Sequence, residues 1–374
     1  MWKVPLFRIL WDEDDVRSVT DAIRSGMNWA SGPQIGQFEE AIAEYLGIPH
    51  CVTFNSGTSA LHAALLAYGI GSGDEVIVPS FTFIATANAP RFVGARPVFA
   101  DIERQTYGLD PEDVLNRITP RTRAIIPVHY GGCPCAIREV AEIAEDHRLI
   151  LIEDAAEAFG AGVDGKHAGT FGDAGVLSFC QNKIITTGEG GAIVTDSKEI
   201  ADRLLLLRSH GRLETCDYFS TTGDMEYVTL GYNFRMSSLT AALGLAQIGK
   251  VDKILGKRRN NARYYTGRLA QVVPECSVAP VPGGYSPVYQ LFSVRVPERD
   301  ALMRCLEEQG IMTKIYFSPI HQSRYYRETL DQPPHLPVTE EVAREILSLP
   351  FHPDISRGDM DLVVRSMGAF YGRA

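Results

Sequence analysis

Along this chain, short apolar runs with a period near two alternate with stretches whose apolar residues recur every three to four positions. These two periods predict the elements. A first helix is expected over Asp12–Ser25, acidic in its first turn and stopped by Gly26, and a second over Pro33–Leu46, ended by Gly47. A unit then repeats: a short strand, a turn containing Gly, Pro, Ser or Asn, and an amphipathic helix. The expected strands are His50–Phe54, Glu75–Val78, Pro97–Ala100, Arg123–Val128, Leu149–Glu153 and Gly175–Phe179, and the expected helices include Thr58–Tyr68, Ile84–Phe92, Pro111–Arg117 and Ala136–Asp146. Runs such as LILI at 149–152 read as strands buried on both faces, hence a mainly parallel α/β sheet. Gly191–Thr195 follows the previous strand so closely that antiparallel pairing is expected.

After Gly249 the pattern changes. A helix over Lys253–Leu269 leads through a Pro/Gly-rich stretch, Val278–Pro287, to a strand at Gln290–Val296, a helix at Arg299–Gln309, a short strand at Ile311–Tyr316 and terminal helices. The reading is a large domain over residues 1–249 and a smaller α+β domain over 250–374, which suits the length of 374 residues.

Bulk properties narrow the function. With 45% hydrophobic and 22% charged residues, a sizeable core can form. A net charge of −10 and the lack of any run of five basic residues argue against nucleic acid or an anionic membrane as partner. A small anionic ligand stays open, since a pocket needs only two or three local cations. The opening MWKVPLFRIL does not read as a signal peptide, and no run nears the roughly 18 apolar residues of a membrane span. Seven scattered cysteines do not form a disulfide framework, and Cys133-Pro-Cys135 lacks both CxxC spacing and a second pair for zinc. The expectation is a reduced, cytoplasmic protein without a metal.

Four motifs stand at or near expected strand ends, where open α/β sheets place their chemistry. Asn55-Ser-Gly-Thr-Ser59 puts small and hydroxyl residues at a helix start, as an anion site or as ordinary capping. Asp154 follows LILIE and reads as a helix cap, a metal ligand or the partner of a cationic heterocycle; no cluster at metal-ligand spacing surrounds it. Leu177–Gly191, LSFCQNKIITTGEGG, carries a single lysine, Lys183, before a glycine turn; a lone loop lysine is ordinarily solvated. Gly231–Met236, GYNFRM, sets an amide and a guanidinium beside aromatics. Taken together they match the needs of pyridoxal 5′-phosphate (PLP): a phosphate cup, a carboxylate for the pyridine nitrogen, a flat ring partner and a lysine for the aldehyde.

At this point the chain resembles the sugar aminotransferases of the DegT/StrS type, within the fold-type I, aspartate-aminotransferase-like PLP enzymes. The likeness runs nearly end to end, through SGPQIGQFEEAIAEYLG, NSGTSALHAALLAYGIGSGDEVIVPSFTFIATANA, IEDAAEAFGA, LSFCQNKIITTGEGGAIVT, GYNFRMSSLTAALGLAQI and LSLPFHP. It implies a seven-stranded, mainly parallel sheet flanked by helices, plus the smaller C-terminal domain. Lys183 matches the Schiff-base lysine and Asp154 the carboxylate on the pyridine nitrogen. Ser56, Gly57, Thr58 and Ser178 match phosphate contacts, and Phe83 the aromatic stacked on the ring. Asn233 matches an asparagine that reaches the phosphate of the neighbouring subunit, which implies a homodimer with shared active sites. Glu157 stands where Gln or His is common near the ring hydroxyl, and Gln290 where many members carry His, so sugar contacts are not carried over to Gln290.

The resemblance implies transamination from L-glutamate, or L-glutamine, to a nucleotide-linked keto sugar. The run KIITTGEGG is most similar to perosamine-type members, which aminate C4 of a 4-keto-6-deoxy sugar. Related 3-dehydratases carry His at the position of Lys183. Arg235, Lys314, Tyr316 and His321 are candidates to face the anionic substrates, 315–321 being similar to the family's small-domain substrate loop. Two other readings are a cyclitol (inosose) or 3-keto-sugar aminotransferase, and a PLP-fold regulator; residues 1–50 lack the basic winged-helix region expected of the last.

Overall fold

The structure is a computed structural model and describes residues 2–213, 225–330, 332 and 334–373. Helix α1 (Glu13–Arg24) starts on a capping box: Asp12 accepts from the Asp14 and Asp15 amides, and the Asp12 amide donates to Asp15 (2.8 Å). Helix α2 (Pro33–Leu46) opens with proline and ends on Gly47 at φ 68°, a left-handed position that glycine takes without strain.

Seven strands form the main sheet: β1 (His50–Phe54), β2 (Glu75–Pro79), β3 (Arg96–Ala100), β4 (Thr122–Ile125), β5 (Ile150–Asp154), β6 (Ala174–Ser178) and β7 (Gly191–Thr195). Their order is β1-β7-β6-β5-β4-β2-β3. The β2, β3, β4, β5 and β6 pairings are parallel, whereas β7 runs antiparallel to both β1 and β6. Every residue of β2 and of β7 is buried, as expected of strands covered on both faces. Helices α3 (Gly57–Ala67) and α4 (Ile84–Phe92) pack with Ile200 and Leu204 on one face. On the other, α2 and helix Ser238–Ile248 enclose Phe38, Leu177 and Phe179. No described helix is long and apolar enough to cross a membrane.

Helix Val251–Val272 then carries the chain to a two-stranded antiparallel sheet, Phe292–Arg295 with Ile346–Leu349, backed by helices Arg299–Glu308 and Arg357–Phe370. Tyr265, Leu269, Val294 and Val363 lie in its core. Two features differ from the sequence expectation. Residues 311–316 form no strand; Ile311 bridges Val4 and Lys314 bridges Ser348, one contact each, before the chain turns toward Pro319. The chain also crosses between the two cores: Val4 packs with the C-terminal cluster, while Ile320, Tyr326 and Leu336 pack on the large sheet.

Candidate active site

The carboxyl ends of β1, β2, β5 and β6 lie along one edge, and the candidate residues converge there. Gly191, at the start of antiparallel β7, pairs with Phe54 on one side and Ser178 on the other. This brings the β1–α3 turn against the end of β6. The approach is close: a Cβ on Gly191 would stand 2.6 Å from the Gly57 nitrogen, and one on Gly57 would stand 3.2 Å from the Ser178 Cβ. Ser56 caps α3 by accepting from the Ser59 amide (3.1 Å), and the first intrahelical bond joins the Ala60 amide to Ser56 O (3.1 Å). The amides of Gly57 and Thr58 precede that bond and sit at the positive end of the helix dipole. The GYNFRM segment is tied to Asn55, at the entry to this turn. The Asn55 amide donates to Phe234 O (2.8 Å) and its side chain to Asn233 O (3.3 Å). The Asn233 side chain itself is exposed.

Asp154 is the last residue of β5 and is only 6% exposed. Its Oδ2 accepts from Thr86 Oγ1 (2.8 Å) and its Oδ1 from the Ala156 amide (3.2 Å). Burial pushes its carboxyl above the ordinary aspartate value; the Thr86 and Ala156 hydrogen bonds and the Lys183 charge act against that shift. Lys183 Nζ lies 3.3 Å from Glu157 Oε1, both side chains largely buried, and Glu157 Oε2 accepts from the Gly131 amide (2.9 Å). Gln290 anchors the lysine turn by donating from Nε2 to Asn182 O. Phe83, the residue before α4, is 59% exposed, its ring centroid 6.2 Å from that of Phe317.

Of the other expected residues, Tyr316 lies beside the lysine turn, its side chain hydrogen-bonded to Asn182 and near Glu157. Arg235 donates from Nη1 to Ser209 Oγ (3.3 Å). Lys314 is exposed, its ammonium 4.8 Å from the centre of the Tyr316 ring, and Tyr316 O accepts from Tyr130 Oη. His321, expected as a cation facing substrate, is instead buried. Its Nδ1 meets Ser80 Oγ (2.6 Å), the Ser80 hydroxyl also accepts the His321 amide (3.0 Å), and Nε2 lies 3.5 Å from Glu340. Burial lowers its pKa, so it serves as an uncharged dock for residues 318–322 on the end of β2. Among the described residues no group of three His, Cys, Asp or Glu is arranged to hold a metal.

Sequence reasoning missed Thr86, Gly131 and Ser80, each of which holds a candidate residue in place. A signal for Thr86 was present: two threonines, Thr82 and Thr86, flank Phe83 at the entry to an alanine-containing helix that follows a strand end. Gly131 and Ser80 carried none, because their contacts are long-range.

Residues 10–368 match the model of the DegT/DnrJ/EryC1/StrS aminotransferase family. The chain is similar to GDP-perosamine synthase of Caulobacter vibrioides, 39% identical over 346 residues, 91% of each chain. Among solved structures it is similar to S. venezuelae DesV in complex with a ketimine intermediate (34% identity, TM-score 0.91, 100% of both chains). It is also similar to DesI in the presence of its TDP-sugar product (34%, TM-score 0.87, 98% and 92% covered). A fold shared over the whole length, and a family match that spans both parts of the chain, make it a sugar aminotransferase of the DegT/DnrJ/EryC1/StrS aminotransferase family.

Proposed function

We propose that this chain is a PLP-dependent aminotransferase that moves an amino group from L-glutamate to a nucleotide-linked keto sugar, a 4-keto-6-deoxy sugar in the first instance. One observation carries the cofactor: the α3 amino terminus, a buried carboxylate and a lysine side chain meet at one sheet edge. The residues present fit PLP. The free amides of Gly57 and Thr58 with the Ser56 and Ser178 hydroxyls suit a phosphate, and glycine at 57 and 191 lets the α3 start approach the end of β6 closely enough to group them. Asp154 suits a protonated ring nitrogen, Phe83 a ring face, and Glu157 the ring hydroxyl. When bound, PLP supplies an electron sink for the carbanion formed at the amino acid Cα.

In this reading the Lys183 amine holds the cofactor aldehyde and, once released, moves protons at Nζ; Glu157 and Gly131 set its position. The similarity to GDP-perosamine synthase and to DesI, solved with a TDP-sugar product, favours a nucleotide sugar as acceptor, and the KIITTGEGG run is what suggests C4 as the aminated carbon. Arg235, Lys314 and Tyr316 are the substrate-facing candidates. Residues 1–249 bind the cofactor and 250–374 form the smaller domain beside it. The working unit is a homodimer in which Asn233 of one subunit reaches the other's phosphate cup. Its exposed side chain and the exposed Trp11, Met27 and Trp29 suit such an interface. The six free thiols among the described residues suit a reducing, cytoplasmic setting.

The test is spectroscopic. Protein supplied with PLP should show a visible absorption band that shifts on adding L-glutamate, and Lys183→Ala should abolish it. A wild type that stays colourless overturns the reading. Mass spectrometry with nucleotide-linked and free keto sugars then names the acceptor; turnover of a free inosose alone would move the assignment to a cyclitol aminotransferase.

A further inference from the structure

The buried carboxylate of Asp154 has a hydroxyl chain behind it that the proposed function does not use. Thr86 Oγ1 stands 2.8 Å from Asp154 Oδ2 and 3.1 Å from Thr82 Oγ1. Thr82 and Thr86 are 3% and 1% exposed, so no bulk water competes for either group. Each threonine has one hydroxyl proton, and an ionised carboxylate only accepts. If Asp154 is charged, the Thr86 proton must point to it, and the Thr82 proton must then point to Thr86. The order of the whole chain is therefore tied to the charge on Asp154. Were Asp154 protonated, its own proton could run the other way.

Around this carboxylate the remaining groups are few. Ala156 supplies one amide at 3.2 Å, the Lys183 charge favours ionisation, and burial and Glu157 oppose it. Thr86 sits in the first turn of α4, its amide bonded to Phe83 O (3.2 Å), so its hydroxyl is held by the same turn that presents Phe83.

We propose that Thr86 is a positioning residue of the cofactor site, whose hydroxyl, oriented by Thr82, keeps Asp154 as a carboxylate aimed at a cationic ring. This rests on the PLP reading above. A hydrogen bond to a charge is worth more than one between neutral groups, and a buried charge that loses it is left desolvated and unpaired.

The experiment compares the wild-type full chain with Thr86→Val, which keeps the shape and removes the donor, and Thr86→Ser, which keeps the donor. PLP titrations at pH 6, 7 and 8 should give a wild-type dissociation constant that is flat. For Thr86→Val it should be weaker by about 10- to 100-fold at pH 7 and weaker still at pH 6; Thr86→Ser should stay near wild type. Equal affinities at every pH, or a serine variant as weak as the valine one, overturn the proposal. A second readout needs no cofactor. Because the Asp154 pKa is raised on folding, protonating it relieves a buried charge, so the stability it removes at high pH returns as pH falls through the raised value. The Tm deficit of Thr86→Val should therefore be larger at pH 8 than at pH 5, whereas a purely packing role gives a constant deficit and sinks the idea. If the wild type takes up no PLP, the proposed function fails, and the Tm comparison still decides the role of Thr86.

Discussion

Glu153 and Asp154 are chain neighbours at the end of β5, both buried, and the pleat sends them to opposite faces of the sheet. On one face Glu153 is saturated. His129 Nδ1 accepts from the Cys135 amide (3.1 Å), so Nε2 carries the ring proton and donates to Glu153 Oε2 (2.9 Å). The amides of Gly169 (2.8 Å), Phe171 (2.5 Å) and Gly172 (2.8 Å) supply three more bonds. A carboxylate has about four acceptor positions, and all are filled. On the other face Asp154 accepts two among the described residues, and its carboxyl is pushed up by burial. A saturated buried carboxylate organises backbone, here the loop at 169–172 and the segment at 129 that follows β4. An unsaturated one near an ionisable lysine keeps capacity for a ligand.

Mutations should separate the two faces. The largest effect is expected on the Asp154 side from Lys183→Ala, with a loss of turnover on the order of 10⁴-fold or more in a coupled transamination assay while the protein stays folded. Asp154→Asn should lower turnover by about 100-fold or more without reducing Tm at pH 8, because it removes a buried, poorly compensated charge. A fall in its Tm like that of the neighbouring glutamate variant would erase the proposed contrast. On the other face, Glu153→Gln should reduce stability by about 2–4 kcal/mol in denaturant unfolding, since an amide cannot accept at all four positions. Undiminished stability would mean that Glu153 does not organise the loop. Smaller still, Lys314→Ala should leave Tm within about 0.5 kcal/mol of wild type and raise KM for the acceptor more than it lowers kcat. An unchanged KM would remove Lys314 from the substrate face.

Much of the fold was legible because its signals are local. The LILI run, the Gly and Pro punctuation and the brief interval before Gly191 are enough to place buried strands, helix ends and an antiparallel neighbour. The short strand expected at 311–316 failed for a matching reason: its backbone bridges separate places, Ile311 to Val4 and Lys314 to Ser348, rather than running along one partner strand. The burial of His321 was equally out of reach of local patterns. Its neighbours in sequence say nothing of Ser80, 241 positions away, whose hydroxyl meets the buried imidazole.

What the sequence determined by itself was the set of chemical parts and their chain order: a hydroxyl-rich helix start, a strand-end aspartate and a lysine before a glycine turn. Hydrophobic period and turn chemistry act over a few residues, so one strand of text carries them. Only the tertiary structure decided which parts face each other. Antiparallel β7 draws Gly57 against Ser178, and β2 carries Thr86 to Asp154, across 121 and 68 positions of chain. Those meetings depend on sheet order and on the close approach that missing side chains permit, and neither is written in any local pattern.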